Sequence, residues 1–160
     1  HLNTFSQIPS SKNAWRKDIT DIIIRSYEIV VGDLLIKAGP DDSSPAELLY
    51  YFHYPILAHD TRFDPIFCYA NLCALNLFEY NWNEMMLIPS RNSAEEVEQG
   101  KRSKTMEIVE ETGYANGYSG IRISKSGKRF MINNTTIWNL TDSDGTRLGQ
   151  AALIKNHREI

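Results

Sequence analysis

The sequence predicts an α+β domain: one five-stranded antiparallel sheet with helices on one face and an N-terminal helical extension. Three observations carry that expectation. A short β-prone run at 66–70 ends on Asn71, a residue type whose side chain accepts the free N–H groups of a following helix. A second helix start comes soon after, at Asn81 with Glu84 three residues on, the spacing of a reciprocal cap. Beyond Gly113 the period changes, and three β-prone runs are separated by turns short enough for a meander. Two strands, a helical insertion and three strands make a single sheet with the insertion laid over one face.

Taken in order, Ser10 or Ser11 caps a first helix that runs to about residue 31, with Trp15, Ile19, Ile22, Ile23 and Val30 near one face. Gly32 or the region of Asp33 ends it. The runs Ile22-Ile23-Ile24 and Ile29-Val30-Val31 are too apolar for a free tail, so the extension, residues 1–54, packs on the domain or on a dimer partner. Gly39-Pro40-Asp41-Asp42-Ser43 breaks the chain, and Ser44-Pro45-Ala46-Glu47 starts a helix over 47–52 that Pro55 stops. The sheet domain then spans 55–160. It has strands at 56–60 and 66–70, a helix at 72–79, and a longer helix launched by Ser93-Ala94-Glu95-Glu96 and ending near 111. The inner stripe of that helix is expected at Val97, Lys101, Thr105 and Ile108. Strands over 118–124, 128–140 and 148–154 turn at Lys125-Ser126-Gly127 and at Asp142-Ser143-Asp144-Gly145. The second turn departs from a calcium loop, because its Gly comes early and the twelfth-position Glu is absent.

Composition excludes several classes. In 160 residues, 42% are hydrophobic and 23% charged, enough for a real core, and a net charge of −3 offers no pull toward nucleic acid or anionic membrane. No apolar run approaches the roughly 20 residues that span a bilayer. No secretory leader pattern opens the chain, and two cysteines make no disulfide framework, so a reducing cytoplasm is the expected location.

Period-two alternation turns Ile66, Cys68 and Ala70 beneath the long helix and Phe67 and Tyr69 to the other side. Ala74, Leu75 and Phe78 join the inward set. With Val97 and Ile108 above and Trp138 and Gln150 on the last strands, these residues are candidates for lining a ligand pocket, although an ordinary packed core needs the same side chains. Arg122, Asn133, Thr135, Trp138 and Gln150 make the strands unusually polar. A buried amide without a partner costs on the order of 1–3 kcal/mol, so solvent-facing positions are the simpler account. Cys68 and Cys73 fit neither a redox pair nor a zinc site and read as small buried hydrophobes. His53, His59 and Asp60 could in principle hold a metal or form a base with its orienter, but a turn histidine is the plainer reading. An enzyme using His59, Asp60 and Arg122 requires those side chains to converge in one cleft.

Certain blocks resemble a known family. They are Ile-Arg-Ser-Tyr at 24–27, Leu-Ala-His-Asp at 57–60, Asp-Pro-Ile-Phe at 64–67, Tyr-Ala-Asn at 69–71 and Ala-Leu-Asn-Leu-Phe at 74–78. Pro-Ser-Arg at 89–91, Tyr-Ser-Gly-Ile-Arg-Ile-Ser at 118–124, Thr-Ile-Trp-Asn-Leu at 136–140 and Gly-Gln-Ala-Ala at 149–152 complete the set. Together they resemble the MEKHLA domain, a PAS-like family of cyanobacteria, algae and plants. The resemblance implies a PAS-like fold and a sensory or regulatory module, here free-standing and bacterial, that acts through protein–protein interaction or a homodimer. A small ligand between the sheet and the 94–111 helix would be its gate. In plants the domain ends class III homeodomain-leucine-zipper transcription factors. This chain has neither a basic region nor zipper heptads, so DNA binding does not carry over, and the resemblance implies no catalytic residue. Light-sensing PAS domains place a Gln on the last strand against flavin, as Gln150 would stand, together with an Asn-Cys-Arg-Phe motif. Pro89-Ser90-Arg91-Asn92 is not that motif, so flavin is not expected and no other cofactor is implied. The competing expectation is a structural, protein-binding domain with a filled core. It predicts no cavity above about 100 Å3, against the roughly 300 Å3 at which ligand sites begin.

Overall fold

A computed structural model describes residues 7–37, 39, 41–94 and 96–160, the stretch 96–103 by its backbone alone. Its elements are α1 (Lys17–Val31), α2 (Pro45–Tyr50), β1 (Ile56–His59), β2 (Phe67–Ala70), α3 (Leu72–Phe78) and α4 (Trp82–Met85). They continue with α5 (Glu96–Thr112), β3 (Tyr114–Ile123), β4 (Arg129–Thr141) and β5 (Arg147–Glu159). The strands form one sheet in the order β2-β1-β5-β4-β3, every neighbouring pair antiparallel. Because β2 and β3 are the two edges, the chain between them must cross the sheet, and α3 to α5 make that crossing.

Local chemistry explains the joints. Asn71 Oδ1 accepts from the backbone N–H of Ala74 at 3.0 Å and caps α3. Asn81 and Glu84 form the reciprocal cap of α4. Ser44 accepts from Glu47 N–H to start α2, with Pro45 at the first helical position. Gly32, at φ 80°, closes α1 in the left-handed region that glycine adopts at least cost.

The extension covers the sheet. Trp138, fully buried, donates its indole N–H to the Ile23 carbonyl at 3.2 Å and meets the Tyr27 ring edge-on at 5.0 Å. Thr141 N–H donates to Ser26 Oγ at 3.1 Å. Thus α1 lies on the face opposite the insertion, and the central part of the sheet is covered on both faces.

Some elements differ from expectation. The first helix begins at Lys17, because Ser11–Arg16 is a 3-10 turn with Ala14, Trp15 and Arg16 all at positive φ. β3 begins at Tyr114 rather than 118: Asn139 N–H donates to Gly113 O at 2.9 Å and draws the chain into the sheet immediately after α5. β5 continues past Ile154 to Glu159, its polar residues held by pairing with β4 (Phe130 opposite Glu159, Asn133 opposite Asn156) instead of by burial. Along this stretch no strand among the described residues pairs with the other edge of β5, since β1 ends its register at Ile56 opposite Leu153. Among the described side chains of α5 the buried one is Val109, whereas Ile108 is 51% exposed, so over this stretch the inner stripe is rotated by one position. The side chains of Val97 and Lys101, the residue Glu95 and the side chain of Glu96, which would complete the expected capping box, lie outside the described residues. Ser93 donates its hydroxyl to Ser90 O at 2.7 Å, within the short 3-10 turn Ser90–Ser93.

Candidate functional site

The inner face of the sheet is not wholly apolar. A narrow cavity of about 50 Å3 runs between it and the insertion, bordered by Leu57, Phe67, Phe78, Ile132, Ile137 and Ile154 and by a second, polar set. That set comprises His59, Ser90, Ser93, Tyr118, Arg122, Thr135 and Gln150, every one buried. Solvent-facing polarity is therefore corrected for Arg122, Thr135 and Gln150, which the insertion covers, whereas Asn116 and Asn134 on the same strands are exposed.

Two of the polar side chains are incompletely satisfied. Arg122 donates to its neighbour's carbonyl, Ile121 O, at 2.9 Å and to the Tyr118 hydroxyl at 3.1 Å, with its guanidinium carbon 5.3 Å from the centre of the Tyr118 ring. Among the described residues no carboxylate pairs with it. Gly120 makes the arrangement possible, since a Cβ there would stand 2.8 Å from the Tyr118 hydroxyl and 3.2 Å from Arg122 Nη1. Gln150 donates Nε2 to Asn139 Oδ1 at 3.3 Å, while its buried Oε1 has no partner. Asn139 Oδ1 also accepts from Arg147 Nε at 3.1 Å, and Asn139 Nδ2 donates to Val109 O at 3.4 Å, tying the end of α5 to the sheet. Beyond Gln150 a more open groove of about 260 Å3 continues past Met106, Glu110 and Arg147.

Of the expected pocket residues, Phe78 and Gln150 border the cavity. Cys68, Ala70 and Ala74 are fully buried in the core without bordering it. Trp138 is corrected: it lies on the opposite face, under α1. Ile108 points partly to solvent. Phe67, expected to face away, borders the cavity because the β1–β2 register shifts between Ala58 and His59 and sets Phe67 opposite His59. Strict alternation cannot put both 67 and 70 inward; the irregularity does, with Cys68 taken up inside it. Burial and the nearby Asp60 push the Cys68 thiol up to about 12.

His59 and Arg122 both border the cavity, but Asp60 does not join them. His59 lies in β1 rather than in a turn, its Nδ1 2.8 Å from the Asp60 backbone carbonyl. The Asp60 carboxylate is turned the other way, accepting from Arg62 Nε at 2.7 Å and from Ile66 N–H at 3.1 Å. In register, His59 opposes Gln150, which opposes Asn139, whereas Arg122 opposes Phe130. The two therefore enter the cavity from strand positions far apart in register, and the Arg122 guanidinium is turned toward Tyr118. Among the described residues no three His, Cys, Asp or Glu side chains group to hold a metal ion, and no helix is long and apolar enough to cross a membrane. Sequence reasoning missed Tyr118 and Ser90 as site residues. The pattern Tyr118-x-Gly120-x-Arg122 carried a usable signal, a glycine on one strand face between two large side chains that need its space.

Residues 17–159 match the MEKHLA domain. The chain belongs to the MEKHLA family. No curated protein matches it in sequence. Among solved structures it is similar to the PAS domain of a protein from Colwellia psychrerythraea (TM-score 0.60, 17% identity, covering 72% of this chain and 92% of that one). It is also similar to a light-oxygen-voltage domain described with a flavin analogue (0.57, 18%, 76% and 88%). A third is the light-state dimer of the fungal blue-light photoreceptor Vivid (0.55, 16%, 83% and 93%). At these identities the likeness shows the fold, which is PAS-like. The match to the family starts at Lys17, so it takes in α1 as well as the sheet.

Proposed function

We propose that this MEKHLA domain is a regulatory module that holds a small ligand between the sheet and α5 and passes its occupancy to a protein partner or a second copy of itself. The observation that carries the reading is a set of buried polar side chains aimed into an internal space, with Arg122 lacking an acidic partner among the described residues and Gln150 Oε1 lacking a donor. Groups of that kind cost stability unless something completes them. A ligand bound there can shift an association equilibrium only by its differential affinity for the two states. Asn139 supplies a connection, since it bonds Gln150 on one side and the last turn of α5 on the other. Catalysis is not part of this reading, because the nearest titratable candidates are occupied elsewhere: Asp60 by Arg62, and Cys68 by its burial. Two free cysteines accord with a reducing cytoplasm.

One dimension favours the second reading, a filled core that only binds protein: the cavity, at about 50 Å3, is well below the roughly 300 Å3 of sites for metabolite-sized ligands. Native mass spectrometry of protein purified from its own host separates the two. A dimer, or a chain carrying a retained adduct, supports the regulatory reading. A bare monomer at every concentration tested overturns it.

A further inference from the structure

The polar end of the cavity narrows the class of ligand, an inference that rests on the regulatory reading above. Among the described residues, the side chains bordering the space include two basic groups, His59 and Arg122, and no Asp or Glu. Arg122 is 6% exposed. A buried guanidinium without a counter-ion is unfavourable, and neutral carbonyl and hydroxyl acceptors offset that only in part. Its two recorded hydrogen bonds, one from Nη1 and one from Nη2, leave three of the five N–H donors in hand. The Tyr118 oxygen accepts from Arg122, which leaves the phenolic O–H able to donate as well. Donors outnumber acceptors at this end, and the planar fork suits a planar oxyanion held by two parallel bonds. Size sets the other limit. A water needs about 10–15 Å3 of such space, so 50 Å3 holds three or four non-hydrogen atoms.

We propose that the Arg122–Tyr118 end of the cavity is a binding site for a small, planar, monovalent oxyanion, of the chemistry shared by formate, nitrate and bicarbonate. Arg122 receives its charge, the Tyr118 hydroxyl adds a donor, and Gly120, lacking a Cβ, lets the two side chains lie close against the strand. An anion there neutralises the one charge the fold otherwise leaves uncompensated among the described residues of this wall. It also stiffens β3, the strand that follows directly from α5.

The test is titration of the full chain with sodium formate and with sodium nitrate, at ionic strength held constant with sodium chloride, following thermal midpoint and the guanidinium Nε–H signal of Arg122 by NMR. Saturable stabilisation and a saturable shift of that signal by both ions are expected, with bulky citrate giving neither. Arg122→Gln weakens the response at least tenfold, and Arg122→Lys, which keeps the charge but not the fork, weakens it by an intermediate factor. The midpoint of Arg122→Gln in chloride alone reports whether the variant folds, and the NMR titration of the unaltered chain needs no variant. Equal effects from chloride, or an unshifted Arg122 signal at saturating formate and nitrate, overturn the proposal. In that case an adduct or dimer in native mass spectra still supports the broader regulatory reading, so the two failures are distinguishable.

Discussion

Replacing Asn71 by Ala removes more than a helix cap. The side chain is fully buried and makes four bonds to backbone from three parts of the fold. Its Oδ1 accepts from Ile56 N–H at 2.9 Å and Ala74 N–H at 3.0 Å, while Nδ2 donates to Leu49 O at 3.2 Å and Tyr54 O at 2.9 Å. One amide thus pins the end of α2, the entry to β1 and the start of α3. At about 1 kcal/mol net for each buried bond, with some relaxation and some extra cost for stranded groups, Asn71→Ala should destabilise by about 3–5 kcal/mol. For a chain of this size each kcal/mol moves the thermal midpoint by about 2–4 °C, so a fall of roughly 6–20 °C is expected. Urea unfolding followed by tryptophan fluorescence should show a lower midpoint at unchanged slope, the sign of a change in stability alone. Asn71→Asp sharpens the test. It keeps the Oδ1 acceptor but sets a second carboxylate oxygen against two carbonyls, so it should be badly destabilised at pH 7 and partly recover once protonation supplies an O–H donor. A cost below about 1 kcal/mol for Asn71→Ala, or an Asp variant as stable as the parent at pH 7, would falsify this account of the junction.

Trp138→Phe should lose about 2 kcal/mol, from the N–H bond to Ile23 and the space left beside Tyr27, and a double-mutant cycle with Tyr27→Leu should show coupling between the two rings. In native protein at pH 8 an aromatic disulfide reagent should label Cys73 and spare Cys68, whose thiol burial keeps protonated; rapid labelling of a Cys73→Ser variant would contradict this. The Ser124 and Ser126 hydroxyls, and then Lys128, hold the Glu79 carboxyl at about 2, below its ordinary 4.5. Its contribution to stability is therefore present above about pH 4.5 and lost as pH falls toward 2. Glu79→Gln should flatten that part of the acid limb in unfolding experiments while leaving pH 6–8 unchanged in slope.

How far these features could be read in the residues depends on the range of the force involved. Caps act within four residues, so Asn71, Asn81 and Ser44 announce their helices, and the turn at 142–145 follows from its own chemistry. Asn71's two donor bonds reach back 17 and 22 residues, and nothing local foretells them. Arg122 and Gln150 look like solvent-facing residues because alternation distinguishes the two faces of a strand, not which face is wet. That inference fails once α1 covers one side and the insertion the other. Phe67 was misplaced by a register shift, which alternation cannot anticipate. The end of β5 was missed because Lys155 to Glu159 bury nothing; the ladder to β4 alone keeps them extended. Ile108 and Val109 exchanged roles because two adjacent branched side chains on a weakly amphipathic helix do not settle its rotation.

Among the described residues no strand pairs with the outer edge of the overhanging tip of β5, a template on which a foreign strand could lengthen the sheet. Lys155, His157, Arg158 and Glu159 occupy that tip, and an incoming apolar segment would have to lie alongside their charges. The polarity that hid the strand from a pattern search thus stands where an apolar strand would have to add.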